Sequence, residues 1–271
     1  MSQPEEPTGP VNNAAGADRT VGDEFFVGYL PTPAGHRRAA VIAVVIIGVL
    51  LAGVAGVVAW AQRDPGTGTW QSDRTSSLEG VVVIAPYALL RTADESGVVV
   101  TVILVSEGKF GATDRLRDHD GKTVRIRGTM LERDGRRMLE VSSNADAVTP
   151  LDWPVARRAG LLPESPRPLG RATLRGEFID PKCYIGAMKP GGGKTHKACA
   201  QLCVGGGIPP MFVTRSQDGS EDYFLVIEEG DRSAAVTVIP YLGDPVEVGG
   251  EVEMRGDLRV LRIDTTTILR I

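Results

Sequence analysis

From Ala39 to Ala61 the chain reads AAVIAVVIIGVLLAGVAGVVAWA, a run of 23 residues without a charge. No other feature restricts the fold so tightly. At 1.5 Å of rise per residue the run covers the roughly 30 Å hydrocarbon core of a bilayer. A helix is the spanning form that satisfies its own backbone away from water. A buried helix of a water-soluble domain would carry a polar stripe, and this run has none. Ala59-Trp60-Ala61 looks like a leader cleavage site, but leaders have apolar regions of about 7–15 residues behind a short basic segment. Here about 38 residues, several of them acidic, precede a longer run. The reading is therefore a retained transmembrane helix over 39–61, with the lipid bilayer as partner. His36, Arg37 and Arg38 precede it and a self-neutralising Arg63–Asp64 pair follows. The positive-inside rule then puts the N-terminus in the cytoplasm and the C-terminal domains outside, periplasmic or extracellular. Gly48, Ala52 and Gly56 form a small-residue ladder that suits close packing against a helix of an integral-membrane partner subunit.

The rest divides by composition. Residues 1–38 read as a cytoplasmic, largely disordered tail, rich in Pro, Glu and Asn without periodicity. Within it Phe25, Phe26 and Tyr29 are suited to the lipid interface. A Gly/Thr/Ser linker spans 62–77, and a Pro-rich linker spans 148–170. Between and after them lie two β-rich segments, 78–147 and 171–271, that look like copies of one another. Val124–Gly128 and Arg133–Val141 align without a gap on Val246–Gly250 and Arg255–Ile263, at an offset of 122. Leu78-Glu79-Gly80 likewise matches Leu174-Arg175-Gly176. Alternating apolar residues around Asp134-Gly135 and Gly256-Asp257 predict closing hairpins. Central strands are expected at 98–105 in the first copy, and at 211–215 and 223–228 in the second. About five short strands per copy, with glycine in the first and fourth, resemble the OB-fold, whose small barrel bends sharply at such positions. The expected class is mainly β: a transmembrane helix followed by tandem OB-like five-stranded barrels. A single β-sandwich built from both copies is the alternative. With 34 acidic against 30 basic residues and no Lys/Arg block, the counterion-releasing surface of a nucleic-acid binder is not expected.

All three cysteines fall in a long insertion between the first and second strands of the second copy, within 181–210. Long ordered loops on small scaffolds usually carry function. Gly191–Thr195 lacks the first glycine of a phosphate-binding loop, since Met188 stands there. His196, Cys199 and Cys203 are spaced i, i+3, i+7. A short helix capped by Thr195 and ended by Gly205–Gly207 would project them from one face. Cys183 would approach from the other arm, completing a Cys3His set of the kind that holds Zn; Cu or haem are further cofactor options, and none is another. In an oxidising compartment the competing fate is a disulfide from Cys183 to Cys199 or Cys203, which leaves one spare thiol. His196, Lys194 and Lys197 would favour a reactive thiolate at Cys199. Lys182 and Lys194 are the expected loop contacts. His119 reads as a solvated turn and Glu228–Glu229 as a loop, so no catalytic residue is expected and an enzyme is not the favoured class.

The insertion, DPKC through KPGGGKTHKACAQLCVGGGIPP, resembles a segment of a family of bacterial single-pass membrane-anchored proteins with no assigned activity. The resemblance covers about 30 residues and implies a membrane-anchored bacterial protein. In layout alone the chain also resembles the periplasmic haem chaperones of cytochrome c maturation, without a match to their haem-bearing segment. The expected function is an extracytoplasmic binding or accessory module, a subunit or assembly factor of a membrane redox complex. A thiol–disulfide redox protein is the alternative, although Cys-x-x-Cys is missing; a structural spacer with a disulfide-pinned loop is another.

Overall fold

The computed structural model describes residues 34–61 and 67–271; the expected tail up to residue 33 and the segment 62–66 lie outside the described residues. The chain forms two compact units, Met1–Arg63 and Asp64–Ile271. In the first, α1 runs Ala34–Ala61 with none of its residues buried. Its length, and the mean hydropathy of 3.0 over an 18-residue window, suffice to cross a membrane. The helix begins before the apolar run because Gly35–Arg38 still take helical backbone, and the end of hydrophobicity need not be the end of a helix. Gly48 and Gly56 open onto free space.

The second unit is mainly β. Its first barrel comprises β1 (Ser76–Ile84), β2 (Ala88–Ala93), β3 (Val99–Ser106), β4 (Thr123–Arg133) and β5 (Arg136–Val141), with the short helix α2 (Thr113–Leu116) between β3 and β4. The strand order is β4-β1-β2-β3-β5, and β5 pairs back onto β4 to close the ring. The β3–β5 pairing is parallel and the others antiparallel. The second barrel repeats this with β6 (Arg167–Ile179), β7 (Met211–Arg215), β8 (Glu221–Glu228), β9 (Pro245–Arg255) and β10 (Leu258–Ile263). Again the order is β9-β6-β7-β8-β10 with closure of β10 on β9, and α4 (Ala235–Val238) takes the place of α2; α3 (Lys197–Gly205) belongs to the insertion. These are two five-stranded OB barrels. The offset of 122 holds through β4/β9 and β5/β10.

The glycines explain the closure. A Cβ on Gly80 would stand 2.2 Å from the Arg91 carbonyl oxygen, and one on Gly176 2.0 Å from that of Val213. Gly128 and Gly250 face Glu140 and Arg262 in the same way, at 2.1 and 2.4 Å. Only a bare Cα lets two strands cross so closely. The hairpins use different turns. Asp134 and Gly135 both have positive φ, as a type I′ turn requires, whereas in the second barrel Gly256 takes it as the first central residue, the type II′ pattern.

The sequence reading missed β2, whose run ALLRTA is short and carries Arg91. That arginine is buried and donates to the Leu161 carbonyl at 3.0 Å. The linkers are also partly regular. Thr69–Trp70 and Val148–Pro150 add to β4, and Val155–Ala159 is a turn of helix.

Side chains alternate along each strand, and in β3 and β8 both faces are apolar. Val102 and Leu104 fill the first barrel, while Ile103 and Val105 point outward. Phe224 and Val226 fill the second barrel, while Tyr223, Leu225 and Ile227 point outward. The outward sets meet in a third core that joins the barrels and takes in Cys183, Tyr184, Ile185, Cys203 and Ile208. The two copies are fused through the face that carries the cysteine insertion.

Candidate metal centre

The insertion leaves β6 at Ile179 and turns at Asp180, which is fully buried; its Oδ1 accepts the Lys182 N–H at 2.9 Å. Cys183–Ala187 form one wide π turn, a rare geometry often found at functional sites. Met188 then extends, its N–H tied to the Cys183 carbonyl at 3.2 Å. Gly191 and Gly192 wrap Tyr184, and the Gly193 N–H reaches Glu177 at 2.6 Å. Gly191 thus packs on the Cys183–Tyr184 backbone and Gly192 on the Tyr184 ring. Helix α3 follows, with His196 at its N-cap position in place of the expected Thr195.

The first barrel completes the site. Residues 109–111 lie backbone to backbone on 206–207: the Gly111 N–H donates to the Gly206 carbonyl at 3.0 Å. A Cβ on Gly206 would meet the Lys109 carbonyl oxygen at 1.9 Å. This approach delivers Lys109 Nζ to 2.7 Å from Cys199 Sγ and 3.6 Å from Cys203 Sγ. Substituting Gly206 with Ala is therefore expected to destabilise the chain by about 1–3 kcal/mol through overpacking. Gly205→Ala, which meets nothing closer than Ile239 at 3.9 Å, is expected to be silent. Thermal unfolding of the two variants checks this; equal midpoints would refute the contact.

At the centre, ligand atoms of Cys183, His196 and Cys199 all lie within 4.8 Å of one another, as do those of Asp180, Cys183 and Cys203. All three cysteines are free; Cys183 and Cys203 are buried and Cys199 is half-buried. Cys183 and Cys199 Sγ stand 4.0 Å apart, and Met188 Sδ lies 3.8 Å from Cys199 Sγ. His196 is 4% exposed. Its Nε2 is 3.7 Å from Asp180 Oδ2, too long for a hydrogen bond, and neither atom has another partner.

The electrostatics favour anionic sulfur. Contact with Cys183 and the nearby Lys109 ammonium hold the Cys203 thiol below its ordinary value, against its own burial. Sharing with Cys203, burial and the Asp180 charge push Cys183 far up. Burial would raise Asp180, but contacts with His196, the two thiols and a backbone N–H bring it below the usual range. The Cys199 sulfur raises Lys109.

The four expected donors fall into two overlapping sets that share Cys183, one with His196 and Cys199 and one with Asp180 and Cys203. Lys182 is a contact as expected, but a buried one: it pairs with Glu140 at 2.7 Å and donates to the Ser106 and Gly108 carbonyls. Lys194 is exposed. Lys197 turns away to Asp244 at 2.6 Å. The cation beside the sulfurs is instead Lys109. The sequence offered no signal for it, because it sits in an unremarkable Gly-flanked turn of the other barrel. Asp180 was also missed as a member of the set.

No family model matches the chain, and no curated protein matches it. Among solved structures, a deletion variant of the single-stranded DNA-binding protein from Thermus aquaticus is similar at 15% identity with a TM-score of 0.19. The match covers 73% of this chain and 93% of that one. A likeness so distant carries no functional argument, and the OB assignment stands on the strand order described above.

Proposed function

We propose that this chain is a membrane-anchored, extracytoplasmic accessory module that holds a metal ion between its two barrels. On this reading it serves as a subunit or assembly factor of a membrane redox complex. One observation carries the reading: sulfur donors converge beside His196 Nε2 and Asp180 Oδ2, both sealed from water and, at 3.7 Å from each other, both without a hydrogen bond. Leaving such groups unsatisfied costs about 1–3 kcal/mol each, a cost that coordination removes. The sulfur spacing agrees. Two sulfurs each about 2.3 Å from a shared ion stand about 3.8–4.0 Å apart at tetrahedral to trigonal angles, and Cys183 and Cys199 are separated by 4.0 Å. The apolar α1 supports the anchor and His36–Arg38 an inside N-terminus. Gly48, Ala52 and Gly56 offer a seam for a partner helix.

A second reading rests on the same 4.0 Å: exchange with a partner disulfide, which takes up two electrons and two protons and leaves as a dithiol, would bond Cys183 to Cys199 and leave Cys203 as the free thiol of an exchange protein. The full-length chain, purified in detergent under reducing and metal-free conditions, separates the two. We expect uptake of one equivalent of Zn(II) or Cu(I), protection of the cysteines from alkylation, and loss of both in a Cys183→Ser/Cys199→Ser variant. When a disulfide oxidant replaces the reductant, joint loss of two thiols without metal would favour the exchange protein. Three thiols that alkylate alike, with no ion retained, would overturn both readings. A reporter fused after Ile271 that works only in the cytoplasm would overturn the orientation.

A further inference from the structure

We infer that the ion this centre is built for is Cu(I), with Met188 as its surface-facing sulfur ligand; the inference rests on the metal-centre reading and specifies its ion. Structural zinc is held by thiolate, imidazole and carboxylate. A thioether adds little for zinc but is a favoured donor for cuprous copper. Here a thioether is in place. Met188 Sδ is 3.8 Å from Cys199 Sγ, which is itself 4.0 Å from Cys183 Sγ. Cys199 Sγ thus lies within reach of both Met188 Sδ and Cys183 Sγ, and the two cysteines share their donor set with His196.

The backbone holds Met188 in place. The π turn begins at Cys183, and the Met188 N–H closes it onto the Cys183 carbonyl at 3.2 Å. One six-residue segment, Cys183 to Met188, therefore carries two of the sulfurs. Yet the Met188 side chain is 46% exposed, whereas Cys183, Cys203, His196 and Asp180 are all below 6%. An ion passing between solvent and the buried donors meets Met188 and the half-buried Cys199 first. Packing does not explain a thioether left so open, whereas ligand exchange does. Lys109, 2.7 Å from Cys199 Sγ, adds discrimination: its ammonium repels a dication twice as strongly as a monocation at the same distance. On binding, each thiol that becomes a thiolate ligand releases its proton to solvent, and no electron moves.

The test uses the full-length chain in nanodiscs under anaerobic, reducing conditions. Cu(I) and Zn(II) are titrated separately against competing chromophoric chelators, for wild type and Met188→Leu. Leucine keeps the shape and removes the sulfur, so folding is expected to be unchanged. We expect Met188→Leu to weaken Cu(I) at least about tenfold, the scale on which lost support around a metal registers. Zn(II) affinity should stay within about twofold in the same pair. X-ray absorption of the copper form should show sulfur neighbours that diminish in the variant. If Met188→Leu leaves Cu(I) affinity unchanged, or weakens both metals alike, the inference is wrong. If the wild type takes Zn(II) and refuses Cu(I), the inference fails while the metal centre stands. If it takes neither, both fail.

Discussion

Replacing Lys182 with Met lowers the stability of the barrel pair by about 3–5 kcal/mol, the usual cost of removing one partner from a buried ion pair. The Lys182 ammonium is 2.7 Å from Glu140 Oε2, with the two side chains only 6% and 11% exposed. It also donates to the Ser106 and Gly108 carbonyls at 3.0 and 2.6 Å. All three acceptors belong to the first barrel, while Lys182 starts the cysteine insertion of the second. Without it a carboxylate stays buried with no counter-charge and two carbonyls lose a donor. Adding Glu140→Leu to Lys182→Met is expected to recover at least about half of the loss, because deleting both charges removes the desolvation penalty. The measurement is the denaturation midpoint of the full-length chain in detergent. A cost below about 1 kcal/mol would mean a pair wetted like a surface ion pair, and the docking of the insertion on the first barrel would have to be redrawn.

A loss of about 3 kcal/mol is expected for Arg133→Met, for a related reason. Arg133 ends β4 of the first barrel and its guanidinium enters the second. It donates to the Tyr223 hydroxyl at 3.0 Å, the Tyr184 carbonyl at 3.1 Å and Glu221 Oε2 at 3.1 Å. It also lies 4.1 Å from the centre of the Tyr184 ring. Lysine cannot reproduce this planar fork, so Arg133→Lys should recover less than half. The pH dependence gives a second readout. Burial would raise the Glu221 carboxyl. Hydrogen bonds from Tyr223, Arg215 and Tyr184 and the Arg133 charge overturn that and hold it below its ordinary value of 4.5. A depressed native value contributes stability that is complete above the unfolded value and lost as pH falls through the native one. Arg133→Met should therefore move the acid limb of the stability curve upward. An unshifted limb would show that Tyr223, Arg215 and Tyr184 set Glu221 without Arg133.

Several features were legible because their signals are local. The α1 run announces itself by length and lack of charge. Both closing hairpins follow from Asp134-Gly135 and Gly256-Asp257, since few residues tolerate the positive φ of tight hairpin turns. The paired glycines of the first and fourth strands identified barrel closure. The spacing of His196, Cys199 and Cys203 foretold one helix face. What stayed hidden was non-local. The two-sided apolar runs of β3 and β8 read as buried strands, but nothing in their order says that the outer faces meet each other. Nor can spacing in sequence bring Lys109 to Cys199, 90 residues away. That contact exists because Gly111 and Gly206 let two backbones touch.

The sequence alone determined an apolar helix and two copies of a five-stranded barrel, because periodicity, turn chemistry and chain reach act over a few residues. Tertiary structure alone decided that the barrels fuse and that the insertion is clamped between them. It also decided that the sulfurs share a buried space with an unpartnered histidine and aspartate. Such a site forms only when surfaces far apart in the chain are pressed together and water is excluded.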